Sequence, residues 1–157
     1  MRQTFILLLV AALFVWAGMV AGISFLEAPL KFTAPHITVP LGVGIGRIVF
    51  HALNKVEIVL CALATISAAY VRVPRRVGLG LGLLAWVLLL QTFWLLPALD
   101  ARAEALLSGH TPPPNHLHLL YVGAEVLKLL LLLTTGVVAY RVFDAKARLR
   151  PRVLQVA

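Results

Sequence analysis

Four stretches of the chain stay apolar for as long as a helix needs to cross a hydrocarbon layer. A core of about 30 Å asks for roughly 20 residues at about 1.5 Å each, and residues 4–25, 49–71, 77–96 and 117–142 supply them. The first run begins behind Arg2 but continues to Phe25, past the roughly 7 to 15 apolar residues of a secretory signal, so it reads as a retained span. Only residues 72–76 separate the second run from the third, and Pro74 breaks the helix there. This predicts a tight antiparallel hairpin. The expected fold is therefore all-α: a four-helix transmembrane bundle forming one membrane domain over residues 1–142, with a short basic tail at 143–157.

Two longer connections lie on the side opposite the termini. Residues 27–46 hold Pro29, Pro35 and Pro40 together with Gly42, Gly44 and Gly46. Such a stretch reads as an interfacial or re-entrant loop able to act as a lid. The second connection carries Asp100, Arg102 and Glu104, then a proline-rich stretch over residues 110–116 with Asn115 placed to cap the last helix.

Composition agrees with this pattern. Of 157 residues, 61% are hydrophobic and 13% charged, and the mean hydropathy is +0.97, a balance that excludes a soluble globule or a disordered chain. The single cysteine, Cys61, excludes an internal disulfide framework and dithiol redox chemistry. The net charge of +8 reads as topology. Arg2, Arg72, Arg75, Arg76, Arg141, Lys146, Arg148, Arg150 and Arg152 fall on the side of the termini, and only Lys31, Arg47 and Arg102 on the other. Basic residues accumulate on the cytoplasmic side, so both termini are expected in the cytoplasm and the protein in a bacterial inner membrane, with the lipid bilayer and no nucleic acid as its partner. The pairs Gly18/Gly22, Gly42/Gly46 and Gly78/Gly82 have helix-packing spacing and suit contact within the bundle, with a second copy, or with a larger complex.

The chemistry lies in the polar residues inside the spans. Arg47, His51, Asn54, Glu57 and Cys61 follow one another at steps of four, three, three and four, which is one face of the second span. His118, Tyr121, Glu125 and Lys128 repeat this on the fourth. Charges at such depth cost about 2.5–3.5 kcal/mol even on insertion scales, so Glu57, Lys55, Glu125 and Lys128 are expected to face the interior and one another. The two faces are expected to converge on one polar pocket, with His51 and His118 at its mouth and Gln91 and Trp94 closing a third wall. That pocket would bind or pass a small ligand, a proton or a metal ion. His51 and His118 are the candidate ligands of a metal ion or haem, and the cofactor is otherwise unassigned. An ion pair serving only to hold the helices in register, or a structural subunit of a larger complex, is the simpler alternative.

Two resemblances bear on these residues. The Ala34-Pro35 turn, the Gly42 to His51 segment leading to Glu57, Pro97 and His118 together resemble a group of small four-span bacterial membrane proteins of unknown function. That group is related to a eukaryotic transmembrane protein linked with platinum-drug resistance, and the likeness implies a fold without an activity. Arg47, His51, Ala52, Asn54 and Glu57 resemble the Arg-Ala-x-x-Asn-x-x-Glu element of MAPEG proteins, four-span trimers that bind glutathione. Asn54 and Glu57 match that pattern, with His51 at the position of its arginine. The likeness implies a membrane enzyme in which Arg47, Asn54 and Glu57 hold an acidic thiol cofactor.

Overall fold

The computed structural model describes residues 1–110 and 113–148, with side chains through residue 145. The tail from residue 149 onward lies outside the described residues. Four helices are long and apolar enough to span a membrane: α1 (Arg2–Thr33), α2 (Val39–Val71), α3 (Arg75–Leu107) and α4 (Leu117–Arg148). No strand occurs among the described residues. Helix α1 packs on α2 and α4, and α3 packs on the same two, so the bundle closes as a ring in chain order.

Every helix outruns the apolar run that announces it. A helix of 33 residues such as α2 is about 50 Å long. Arg72, Arg75 and Arg76 are exposed at the hairpin end, and such a cluster of arginines belongs at the membrane surface. Counting back roughly 20 residues from there puts the far boundary of a core of about 30 Å near His51. The surplus length projects on the loop side. The expected lid over residues 27–46 is accordingly replaced by helix. Helix α1 runs on to Thr33 and α2 begins at Val39, leaving only residues 34–38 as connection. Thr38 caps α2, accepting from Leu41 N at 3.4 Å, and Pro40 occupies the first turn, where its missing N–H costs nothing.

The same extension carries α3 through Pro97, which sequence alone reads as its end. A short π-helical segment, Gln91–Leu95, precedes the proline, and a matching one, Ala21–Glu27, precedes Pro29 in α1. Widening the helix frees the carbonyls that a proline ring would otherwise strike, so the chain passes each proline without stopping. Beyond Leu96, α3 lies chiefly on α2 and hardly touches α4.

The interior is layered. Toward the termini lies the large apolar core of Leu9, Leu13, Trp16, Leu84, Leu88 and Leu132. A smaller cluster of Leu95, Leu96 and Tyr121 lies toward the loops, with Phe50 edge-on to Tyr121 at 5.4 Å between centroids. Between the two sits a band of charged and amide side chains.

Of the three glycine pairs with packing spacing, only Gly42/Gly46 makes close contact, and Gly80 adds another outside the pairs. A Cβ on Gly18, Gly22, Gly78 or Gly82 would meet nothing within 4 Å, whereas one on Gly80 would overlap the Thr135 side chain and one on Gly42 the ring of Phe32. Gly46 faces the Lys31 side chain. The Gly18/Gly22 and Gly78/Gly82 pairs therefore make no close contact.

Candidate functional site

The polar band is a closed network centred on Lys128. Its Nζ lies 2.5 Å from Glu57 Oε1 and 2.8 Å from Glu125 Oε1, and donates to Gln91 Oε1 at 2.7 Å. Each of the three ammonium protons therefore has an acceptor. Glu125 sits one turn from Lys128 on α4, so this pair is set by helix geometry alone. Glu57 comes from α2 and Gln91 from the first position of the π segment in α3.

The carboxylates have further donors. Trp16 Nε1 donates to Glu57 Oε1 at 2.7 Å, Ser24 Oγ to Glu125 Oε2 at 2.8 Å, and Gln91 Nε2 to Glu125 Oε1 at 2.7 Å. All four helices thus contribute. Lys128 is 0% exposed and Glu57, Gln91 and Glu125 are 1% exposed. In its ordinary protonation state the cluster holds two carboxylates against one ammonium, one negative charge too many for a dry interior.

A second polar group lies above it. Asn54 Nδ2 donates to Thr92 Oγ1 at 2.9 Å, and Thr92 donates onward to the Leu88 carbonyl at 2.7 Å. Higher still, Arg47 Nε pairs with Asp100 Oδ1 at 3.2 Å and Arg47 Nη2 with Glu104 Oε2 at 3.7 Å, while His51 Nε2 lies 2.6 Å from Asp100 Oδ2. Asp100 reaches α2 because α3 leans that way after Pro97. Polar side chains thus descend from the loop-side surface to Lys128 along the α2–α3 seam, and the large apolar core lies beneath with Ser67 and Thr135 buried in it.

The structure assembles Glu57, Glu125 and Lys128 as the periodicity requires, with Tyr121 buried one turn above Glu125. Four expectations are corrected. Lys55 faces outward and is exposed, because two residues along a helix turn the side chain by about 200° and Glu57 already holds the inner face. His118 is also exposed, since the end of α3 has moved onto α2 and left the start of α4 uncovered. It therefore takes no part in the contacts of His51. Trp94 is 54% exposed, and Gln91 is a member of the network where a wall was expected. Finally, Glu57 and Glu125 are each 1% exposed, so the network is enclosed where an open pocket was expected. The described residues include no group of three or more His, Cys, Asp or Glu placed to hold a metal ion.

Trp16, Ser24 and Thr92 escape sequence reasoning, because each is an ordinary residue of an apolar run. One signal was present. Ser24-Phe25 stands five residues before Pro29 and Thr92-Phe93 five before Pro97, and both hydroxyls fall inside the π segments that serve the network.

Comparison with protein families, curated proteins and solved structures gives no match to this chain.

Proposed function

We propose that the protein is a multi-pass protein of the bacterial inner membrane, with both termini cytoplasmic, and that its enclosed network holds and releases a proton reached from the loop side. One observation carries this reading: two carboxylates share a single lysine in a dry interior, and one added proton brings the cluster to neutrality. A proton needs no cavity and can be passed by hydrogen-bonding side chains alone. The Asn54–Thr92 pair and the Arg47–Asp100–His51 group supply a run of hydrogen-bonding side chains toward the loop side, which is the route by which exchange is proposed to occur.

Infrared difference spectroscopy on the reconstituted protein tests this. A protonated carboxylic C=O band should titrate with pH and shift or vanish in Glu57→Gln or Glu125→Gln. If no such band titrates, or if it titrates unchanged in both variants, the network carries no exchangeable proton.

The saturation of Lys128 by three acceptors favours a second reading, a lock that fixes four helices in register. In that case both Gln variants lose stability without any proton-linked spectral change. The enzymatic reading on Arg47, Asn54 and Glu57 has less support, because Asp100, Thr92 and Lys128 respectively engage these three side chains.

A further inference from the structure

Lys55 is a charge without a counterpart. It is exposed on the lipid-facing side of α2 about one turn below the estimated boundary at His51, and among the described residues it makes no ion pair or hydrogen bond. A lysine so placed extends its stem along the apolar surface and carries its ammonium toward the headgroups. There it meets a groove. Arg47, His51 and Lys55 recur at intervals of four residues and line one side, with Gly44 as its floor and Leu107 of α3 opposite. A Cβ at Gly44 would lie in van der Waals contact with Leu107 Cδ2 at 3.6 Å, so the groove is narrow at this end.

The charges lining this groove, and the two acids that Arg47 holds beside it, have an order. Lys55 stands deepest, with a free positive charge. About 12 Å higher along the helix, Arg47 is shared between Asp100 and Glu104, and the Glu104 side chain is 70% exposed and held only at 3.7 Å. A phospholipid headgroup entering from the bilayer presents its phosphate first and its terminal group beyond. We propose that this groove seats a phospholipid whose headgroup ends in a primary ammonium, as in phosphatidylethanolamine, with the phosphate on Lys55 and the ammonium on Glu104. A purely anionic headgroup would bring its negative charge against Asp100 and Glu104. A quaternary ammonium has no N–H to donate to a carboxylate. The complementarity therefore selects among lipids by their outer half.

The full chain in nanodiscs of equal phosphatidylethanolamine, phosphatidylglycerol and phosphatidylcholine, read by native mass spectrometry, tests the assignment. Phosphatidylethanolamine should be retained over both others. Lys55→Gln should lower its retention by about tenfold, the scale of one charge-assisted hydrogen bond. Glu104→Gln should abolish the preference over phosphatidylglycerol while retaining lipid. Both positions are exposed, and unchanged thermal unfolding of the variants separates lost binding from lost fold. Equal retention of phosphatidylglycerol by the unaltered protein, or full retention by Lys55→Gln, overturns the proposal. Displacement of the lipid by inorganic phosphate also overturns it, since the groove would then be a site for the free anion.

Discussion

Trp16 donates its indole N–H to Glu57 across a separation of 41 residues, at 2.7 Å. Tryptophan in membrane proteins usually keeps its N–H at the wet interface, but this one is fully buried and spends it on a carboxylate. The bond joins α1 to α2 where Lys128 arrives from α4. The apolar core and the charged band are therefore coupled through one side chain.

Trp16→Phe should leave most of the ring packing in place while removing this donor. The expected cost is about 1–3 kcal/mol, the penalty of a buried acceptor that loses its partner, read as a lower thermal midpoint in detergent. An unchanged midpoint would mean that the bond is energetically idle.

Lys128→Met removes the common partner of two carboxylates. Stripping one member from a buried ion pair costs about 3–5 kcal/mol, so this should be among the most damaging substitutions in the protein. Combining it with Glu57→Gln and Glu125→Gln should restore much of the loss, because the uncompensated charge disappears. Thermal unfolding of the single and triple variants decides it, and equal instability of the two would contradict the charge argument.

Glycine substitutions should separate contact from open surface. Gly80→Ala drives a methyl into Thr135 and should cost about 1–3 kcal/mol, as overpacking does. Gly78→Ala and Gly82→Ala meet nothing within 4 Å and should leave thermal unfolding unchanged or raise stability by up to about 1 kcal/mol, since alanine restricts the unfolded chain.

Arg72 ends α2 in the left-handed region with φ 58°. A residue bearing a Cβ pays about 1–2 kcal/mol there and glycine does not, though glycine returns part of the gain as chain entropy. Arg72→Gly should raise stability by about 0.5–1 kcal/mol. A lower melting temperature would show that the arginine head contributes more than its backbone costs.

The orientation is open to direct measurement. Reporter fusions at Gln155 and within loop 108–116 should report opposite sides of the membrane, with Gln155 in the cytoplasm. A periplasmic signal at Gln155 would reverse the topology.

The four spans and the inward faces of α2 and α4 are legible in the sequence, because lipid makes a buried charge conspicuous and helical period fixes its direction. Lys55 shows that the same rule was available to exclude it, since positions 55 and 57 cannot share a face. The fate of His118 was not accessible in this way. Its exposure follows from where α3 goes after Pro97, a tertiary event with no trace in the periodicity of α4. Proline also hid the true helix lengths, because a π segment that tolerates it leaves no hydrophobic signature of its own.

The spacing of Glu125 and Lys128 has a consequence for biosynthesis. Spans leave the ribosome in chain order, so Glu57 enters the bilayer with α2 before Lys128 has been made. Of its folded-state partners, only the N–H of Trp16 on α1 has been synthesised by then. Helix α4 follows carrying its acid and base one turn apart, already matched, so its insertion does not wait for the rest of the bundle. Of the two partners of Glu57, Trp16 thus precedes it in the chain and Lys128 follows it by 71 positions.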